Sequence, residues 1–358
     1  MKCGIVGCGK VVEELYVPSL RALPGLRIAL ACDVDENRVR RFASRHGVPK
    51  FGSDMESFAE DIRNLDFIIL ATPGFTHYEM LRRLLELNKN VLVEKPIALS
   101  YSEVEDIRNR ATARGGKVCV GHTWRFRDEI RRAKEAIRKG LVGRIQKVNM
   151  VHRVGSIFHV SEPRWSWDDE RGRMIFLYEQ AFHFLDMGIY LAGPVRRFTG
   201  IESGFNPHLQ ATTHIYALGE FQSGATAWID FQTFSSSNYS YLEVIGTAND
   251  VRIRFFPTSF RIYSGRVNPL DELLEDCRRV GSFVFSAAKQ KFALSRIPRR
   301  ALPHHALLEG YVRSIQDKSV PVPVSVEDAL PTMACLEMLK AHVYGGCAGA
   351  NSSPENRG

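Results

Sequence analysis

The chain begins with a short apolar run followed by two closely spaced glycines, and this start restricts its fold more than any other feature. Lys2–Val6 has the length of a buried strand, and Gly7-Cys-Gly9 follows it directly. A G-x-G turn between a strand and a helix lets the main chain approach a diphosphate at the helix N-terminus. Val12 stands where the usual pattern has a third small residue, so the turn alone leaves dinucleotide binding open.

Apolar runs and helical segments then alternate over the first third of the chain. Strands are predicted at residues 26–32, 65–70, 91–93 and 117–120, with helices between them. Such alternation is typical of a parallel, doubly wound sheet. We therefore predict an α/β fold that starts with a Rossmann domain over residues 1–122. Its second strand ends in Asp33, where a carboxylate binds an adenosine ribose; a helix cap is the alternative.

Glu94-Lys95-Pro96 follows the short apolar run at residues 91–93. Proline has no N–H to donate to a β-ladder, so the strand ends there. Ligands of an open α/β sheet bind at the carboxyl ends of its strands. A lysine at that edge can direct three hydrogen-bond donors at a bound hydroxyl or carbonyl. The alternative is a surface Glu-Lys pair that binds nothing.

From residue 145 onward the predicted strands are no longer separated by helices. β-branched and aromatic residues are concentrated at residues 145–154, 211–217, 224–231, 241–245 and 251–255. This pattern predicts a C-terminal α+β domain, residues 123–345, with a large, mainly antiparallel sheet. Aromatic residues on both faces of such strands indicate that a second subunit covers one face, which predicts a homodimer or homotetramer. Residues 346–358 are predicted to be a disordered tail.

A helical segment at residues 173–193 carries Glu179 and His183. Residues four apart project from one face of a helix. A carboxylate one turn before a histidine can orient the ring, raise its basicity or share the binding of a hydroxyl. A histidine that is satisfied by its neighbour at a domain interface is the alternative.

The composition narrows the class of protein. The 358 residues are 44% hydrophobic and 25% charged, as in soluble globular proteins. No apolar run reaches the roughly 18 residues of a membrane span, and a strand at the N-terminus leaves no room for a signal peptide. The seven cysteines form no CxxC pair, which favours buried thiols in the reducing cytoplasm and no metal site. The net charge of +8 is mostly dispersed, without a nucleic-acid-binding motif.

Together these pieces resemble the Gfo/Idh/MocA family of NAD(P)-dependent oxidoreductases. The resemblance covers nearly the whole chain and rests on Gly4-Ile-Val-Gly-Cys-Gly9, Asp33, Ala71-Thr-Pro73 with His77, Glu94-Lys95-Pro96, Arg125-Phe126, His183 with Asp186, and Leu242-Glu-Val-Ile-Gly-Thr247. It implies a nicotinamide cofactor, a sugar, inositol or related polyol as substrate, and a lysine–histidine pair in the active site. The chain departs from the pattern at Glu179 and Ala181, where the family has Asp and Gly.

The resemblance assigns roles to individual residues. In the oxidation direction His183 acts as general base and Lys95 holds the same oxygen, while Glu179 positions the substrate or His183. Motifs and resemblance together give a cofactor site that comprises Gly7, Gly9, Lys10, Val11, Asp33, Arg38, Thr72, Pro73, His77, Glu94, Lys95 and Arg125. Asp33 favours NAD because a carboxylate repels a 2′-phosphate, and Arg38 keeps NADP open.

Two other functions stay open. A ketoreductase or imine-type reductase would use Lys95 alone as acid. A cofactor-binding sensor would have lost turnover, which the change at Glu179 allows. The basic segment at residues 278–300 contains no acidic residue; it is a solvated insertion, an amphipathic helix on a membrane surface, or a contact for a substrate phosphate such as the diphosphate of a nucleotide sugar.

Overall fold

The structure is a computed structural model of the 358-residue chain. It describes residues 1–155, 178, 181–206, 211–233, 235, 238–255, 257–264 and 297–345. The chain divides into two compact units. Unit 1 comprises Met1–Leu99, Glu103–Arg127 and Tyr263–Val326, and unit 2 comprises Ser100–Ser102, Asp128–Ile262 and Glu327–Gly358. These units are defined by packing, and the domain bounds at residues 122 and 345 stay a sequence prediction.

Unit 1 contains a six-stranded parallel sheet. Its strands are β1 (Lys2–Val6), β2 (Arg27–Cys32), β3 (Lys50–Gly52), β4 (Phe67–Leu70), β5 (Asn90–Val93) and β6 (Val118–Val120), in the order β3-β2-β1-β4-β5-β6. The connecting helices are α1 (Val17–Ala22), α2 (Glu36–His46), α3 (Ala59–Arg63), α4 (Gly74–Glu86) and α5 (Tyr101–Arg114). The strand order reverses between β1 and β4, as in a doubly wound sheet, and confirms the predicted Rossmann fold.

The apolar runs of the sequence form the inner strands. All residues of β4 are buried, as are Val91, Leu92 and Val93 of β5, which is expected for a parallel sheet covered on both faces. β4 and β5 are paired in parallel, and their last paired residues are Leu70 and Val93. The carboxyl ends of β1, β2, β4, β5 and β6 therefore meet at one edge of the sheet.

The helix that follows β1 contains a π turn at Val12–Tyr16. The Val17 N–H donates to the Val12 carbonyl, five residues back, whereas an α-helix uses the carbonyl four residues back. Pro18 explains the wider turn, because proline lacks an N–H and its ring clashes with the carbonyl four residues earlier. The sequence predicts a kink or early break at Pro18; the structure widens the turn before it and continues as α1.

Unit 2 contains a seven-stranded mixed sheet. Its strands are β7 (Ile145–Val154), β8 (Val195–Asn206), β9 (Ala211–Phe221), β10 (Thr226–Thr233), β11 (Tyr239–Gly246), β12 (Asn249–Phe255) and β13 (Thr258–Ser264), in the order β13-β12-β11-β7-β10-β9-β8. β7 and β10 are parallel, whereas β8–β9, β9–β10, β7–β11 and β11–β12 are antiparallel. The predicted sheet is confirmed. Strands β8 and β13 gave no signal in the sequence because apolar and polar residues do not alternate regularly in them.

Helices α6 (Asp128–Arg138) and α7 (Phe182–Ala192) belong to unit 2. Most residues of α7 are buried. Its Gly188 lies against Met150 of β7, and a Cβ at this position would overlap the Met150 sulfur. The glycine therefore sets how closely α7 approaches the sheet.

Two helices follow residue 297. α8 (Leu302–Gln316) begins after a 3-10 turn at Arg299–Ala301 and belongs to unit 1, where the Tyr311 hydroxyl donates to the Lys117 carbonyl at 2.7 Å. α9 (Val326–Gly345) ends the described chain. In the part of the chain that the structure describes, no helix combines the length and apolar content needed to cross a membrane. The predicted tail and most of the basic segment, residues 278–296, lie outside the described residues.

Candidate active site

The turn after β1 fits a dinucleotide diphosphate. Gly7 has φ +92°, and a Cβ there would lie 2.5 Å from the Ala71 carbonyl oxygen, so no larger residue can replace it. A Cβ on Gly9 would meet no atom within 4 Å, which leaves the main chain open to a ligand. Helical structure begins at Lys10, and the N–H groups at a helix start attract phosphate oxygens. The turn therefore has the shape and the donors that a diphosphate requires.

Asp33 directly follows β2 and is only 7% exposed. Its Oδ2 accepts the Cys8 N–H at 2.8 Å, and its Oδ1 accepts the Asp35 N–H at 3.0 Å. The carboxylate thus ties the glycine turn to the start of α2. The alternative role of helix cap belongs to Asp35, whose side chain accepts the Arg38 N–H at 2.9 Å.

Arg38 contacts the same carboxylate. Its Nη1 lies 3.2 Å from Asp33 Oδ1, and its side chain is 45% exposed. Val34, directly after Asp33, is 83% exposed and offers apolar surface. The end of β2 therefore combines a buried anion, a half-exposed cation and an apolar contact, the groups that a nucleoside can use.

His77 joins the segments that follow β4 and β5. This buried residue of α4 places Nδ1 2.7 Å from the Pro96 carbonyl oxygen and Nε2 2.8 Å from the Thr72 carbonyl oxygen. Gly74 packs on the Pro96 ring, where a Cβ would come within 2.9 Å. Because the His77 ring is fully buried, its effect on a bound cofactor passes through Thr72, Pro73 and Pro96.

Glu94 and Lys95 stand at the carboxyl end of β5. Glu94 Oε1 accepts the Tyr16 hydroxyl at 2.6 Å, and Glu94 Oε2 accepts the Lys95 N–H at 3.2 Å. Burial raises the pKa of Glu94, while the Tyr16 hydrogen bond and the Lys95 charge act to lower it. The Lys95 side chain is partly buried. The main chain of Lys95 is thus held by the Glu94 carboxyl. Glu94 in turn is held by Tyr16, on the helix that starts at the glycine turn.

His183 belongs to unit 2, as the second residue of α7, and is partly buried. Its ring lies edge-on to Phe182, with the ring centroids 6.3 Å apart. Asp186 is 2% exposed and accepts the Thr332 hydroxyl at 3.1 Å. Glu179 lies outside the described residues, so its pairing with His183 stays a prediction.

The structure brings the predicted cofactor residues to one edge of the parallel sheet. They follow β1 (Gly7, Gly9, Lys10, Val11), β2 (Asp33, Arg38), β4 (Thr72, Pro73, His77), β5 (Glu94, Lys95) and β6 (Arg125). Tyr16 and His304, which both face Glu94, carry no functional signal in the sequence. Pro18 signals an irregular helix around Tyr16, but no local pattern links either residue to a carboxyl so distant in sequence. Among the described residues, no three His, Cys, Asp or Glu side chains are grouped to hold a metal ion.

Comparison with known families gives two matches that together span most of the chain. Residues 1–122 match the oxidoreductase family with an NAD-binding Rossmann fold. Residues 130–252 match the GFO/IDH/MocA C-terminal domain. The glycine turn, Asp33 and Lys95 all lie in the first of these matches, which agrees with the dinucleotide-shaped edge of unit 1.

Two relatives support the same grouping, and a solved structure supports the fold. A 1-carboxy-3-chloro-3,4-dihydroxycyclo hexa-1,5-diene dehydrogenase of Comamonas testosteroni is 26% identical over 268 residues, 73% of this chain and 66% of that enzyme. The scyllo-inositol 2-dehydrogenase (NAD(+)) of Bacillus subtilis is 27% identical over 268 residues, 71% of this chain and 73% of that enzyme. The WlbA dehydrogenase of Bordetella pertussis, in complex with NADH and UDP-GlcNAcA, has a TM-score of 0.76 at 17% identity and covers 97% of this chain and 96% of its own. At that identity the structural likeness shows the fold.

Proposed function

The chain belongs to the GFO/IDH/MocA family of NAD-binding oxidoreductases, and on that premise we propose a specific reaction. The protein transfers a hydride between a nicotinamide cofactor and a secondary alcohol or ketone of a sugar, inositol or nucleotide sugar. One observation carries the proposal: the Tyr16–Glu94 hydrogen bond ties the helix that starts at the glycine turn to the segment that presents Lys95. The inositol dehydrogenase and the UDP-GlcNAcA complex among its relatives support the substrate class.

The residues of this chain supply binding and proton transfer. When bound, the nicotinamide cofactor supplies the hydride acceptor or donor. Gly7, Gly9 and the helix start hold its diphosphate. Lys95 donates a hydrogen bond to the reacting oxygen and stabilises charge that develops there. His183 takes up the hydroxyl proton during oxidation and returns it during reduction.

The cofactor is NAD rather than NADP. Asp33 would repel a 2′-phosphate, and its carboxylate is held in place by the Cys8 N–H of the glycine turn. Arg38 is the residue that would favour NADP, but in the structure it pairs with Asp33. Comparing the two cofactors at equal concentration tests this choice, and equal or better use of NADP would overturn it.

A phosphorylated substrate stays part of the proposal. Of the basic segment, the structure describes Arg299 and Arg300, and the Arg300 guanidinium lies 2.8 Å from the Glu14 carboxylate. Both partners are solvent-accessible, so a phosphate could replace Glu14 at little loss of free energy. Arg299→Gln with Arg300→Gln should then raise the Michaelis constant for a phosphorylated substrate. An unphosphorylated substrate would end this part of the proposal.

The decisive experiment is an absorbance screen at the nicotinamide band. The wild-type protein, with NAD or NADP, is mixed with free sugars, inositols, sugar phosphates and nucleotide sugars. Reduction of the cofactor by at least one polyol is expected, and Lys95→Ala should abolish most of it. Cofactor binding without reduction by any substrate would favour the sensor instead. Oxidation of reduced cofactor by ketones or imines alone, with no need for His183, would favour the reductase that uses only Lys95.

We also propose that the protein is a homodimer or homotetramer. On the outward face of unit 2's sheet, Trp228 and Leu218 are paired neighbours on β10 and β9 and are 36% and 42% exposed. Exposed aromatic and aliphatic side chains that adjoin on a sheet suit a subunit interface. A monomer in light scattering at micromolar concentration would contradict this assembly.

A further inference from the structure

A group of buried polar side chains surrounds Glu94, and none of them has a role in the proton transfer of the proposed reaction. Tyr16 belongs to the π turn and is fully buried, and His304 lies in the first turn of α8 and is 9% exposed. Both belong to unit 1 with Glu94. The rings of Tyr16 and His304 meet edge to face, with centroids 5.2 Å apart. We call these three residues the Glu94 cluster.

The contacts in the Glu94 cluster are not equivalent. The Tyr16 hydroxyl donates to Glu94 Oε1 at 2.6 Å, a short hydrogen bond that favours an ionised acceptor. His304 Nε2 lies 3.8 Å from the same oxygen, beyond hydrogen-bond distance. His304 Nδ1 is buried without a partner. Tyr16 therefore binds the carboxyl, while His304 mainly closes it off from water.

The protonation states follow from burial. Burial raises the pKa of Tyr16 far above its usual value, so Tyr16 stays a donor. Burial lowers the pKa of His304 to about 4, so His304 is neutral near pH 7. Glu94 is left as the group in the cluster whose charge can change, since burial raises its pKa and the Tyr16 hydrogen bond and Lys95 act in the opposite direction.

The second carboxyl oxygen connects the cluster to Lys95. Glu94 Oε2 accepts the main-chain N–H of Lys95 at 3.2 Å. Gly121 of the neighbouring segment packs on this side, where a Cβ would come 3.2 Å from Oε2. Because Oε1 is held by Tyr16, the carboxyl cannot rotate without breaking one of its two bonds.

We propose that Tyr16 is a positioning residue for Lys95: through the ionised Glu94 carboxyl it fixes the main chain from which the Lys95 side chain projects. Protonation of Glu94 weakens the hold, because a neutral carboxyl accepts the Lys95 N–H less strongly. The charged or titratable groups that face Glu94 are Tyr16, His304, Lys95 and His77. The proposal rests on the catalytic role of Lys95 in the proposed function.

The direct test observes the Lys95 amide in the protein without substrate. Protein labelled with ¹⁵N-lysine gives a Lys95 main-chain signal, identified by its absence in Lys95→Ala. This signal should titrate with Glu94 in the wild type and stop titrating in Glu94→Gln. In Tyr16→Phe the midpoint should rise by about one pH unit, because a hydrogen bond to the charged form is lost. A signal that does not respond to pH, or an unchanged midpoint in Tyr16→Phe, would overturn the proposal.

Tyr311→Phe is the matched control. Tyr311 is also fully buried in unit 1, and its hydroxyl likewise makes one hydrogen bond, at 2.7 Å to the Lys117 carbonyl. Both tyrosine variants should lose similar stability, but Tyr311→Phe should leave the Lys95 midpoint unchanged. If both variants shift the Lys95 midpoint equally, the effect of Tyr16→Phe comes from a general loss of stability, and this would contradict a positioning role.

Turnover gives the second readout. With any substrate found in the absorbance screen, the acid limb of kcat should move up by about one pH unit in Tyr16→Phe, with KM nearly unchanged. Below that limb kcat should fall about tenfold, and above it kcat should approach the wild-type value. An unmoved limb would overturn the positioning role. If no substrate turns over, the proposed function fails, while the Lys95 amide titration still decides whether Tyr16 acts through Glu94.

Discussion

Both units bury carboxylates, but they satisfy them in different ways. At the edge of the parallel sheet, Asp33 accepts two main-chain N–H groups besides the Arg38 guanidinium, and Glu94 accepts one main-chain N–H together with the Tyr16 hydroxyl. Main-chain donors are fixed by the fold. These carboxylates therefore have one position each, which suits groups that must meet a cofactor or hold a catalytic lysine.

On the mixed sheet of unit 2 the donors are side chains instead. Asp230 and Glu243 are 6% and 7% exposed and accept from Arg153 and Arg252, which are 40% and 43% exposed. Long, half-exposed arginines can change rotamer when a second surface approaches. Burial alone therefore does not mark a reaction site, because both units bury carboxylates; those at the parallel-sheet edge also accept main-chain N–H groups.

The largest difference in kcat is expected between variants of the proposed catalytic residues and a variant of an arginine on the mixed sheet. Lys95→Ala and His183→Ala should each lower kcat by roughly two to four powers of ten, the scale of a positioned acid or base. Cofactor affinity should change far less, and Glu179→Ala should reduce kcat less than either. Arg252→Met on the mixed sheet is the control and should leave kcat within about threefold, as measured by steady-state kinetics. Near-normal turnover of His183→Ala would show that another group is the base.

The buried ring of His304 should make the free energy of unfolding depend on pH. Its pKa is lowered by burial to about 4, so between pH 6.5 and 4 the unfolded chain binds a proton that the folded chain does not. The free energy of unfolding should therefore fall with decreasing pH in this range, by up to about 3 kcal/mol from this residue. His304→Phe keeps the ring and should remove that part of the fall. Denaturant titrations at pH 7 and pH 4 measure it; identical pH dependence in both proteins would exclude this role.

Sequence patterns were sufficient for the parallel-sheet edge and for most strands of the mixed sheet, but not for the side-chain pairs that join distant segments. The strand ends that carry Asp33 and Lys95 follow from short apolar runs, because a buried strand needs a local pattern only. Tyr16 and His304 could not be assigned, because both lie far in sequence from Glu94; Tyr16 is 78 residues from it. Similarly, the pairing of Asp230 with Arg153 depends on which strands become neighbours.

A change at Asp33 tests whether the edge of the parallel sheet sets the preference for NAD over NADP. Asp33→Asn removes the charge and should weaken NAD binding by about tenfold to a hundredfold, because one acceptor of the glycine turn and the ribose contact are both changed. NADP should lose much less affinity, so the preference for NAD falls. Asp35→Ala is the control: it removes the cap of α2 and should lower the stability of the protein slightly without altering the preference. Fluorescence titration with both cofactors measures these affinities. Unchanged preference in Asp33→Asn would assign cofactor choice to another residue.

The smallest effect on turnover is expected for substitutions on the outward face of the mixed sheet. Trp228→Glu should split the proposed dimer or tetramer, because it places a charge in an apolar contact. Turnover per subunit should stay within about twofold. Light scattering and kinetics on the same samples measure both, with Trp228→Phe as the control that keeps the contact apolar. If the assembly keeps its molecular mass in Trp228→Glu, the subunit interface lies on another surface.

The role of Lys95 is tested most directly by a single turnover of enzyme-bound NAD with a saturating polyol. Stopped-flow absorbance at the nicotinamide band records the reaction free of product release. We expect a single exponential in the wild type that is slower by roughly two to four powers of ten in Lys95→Ala, with NAD still bound. An unchanged rate in Lys95→Ala, or bound NAD that no polyol reduces, would contradict the assignment of this edge as the catalytic site.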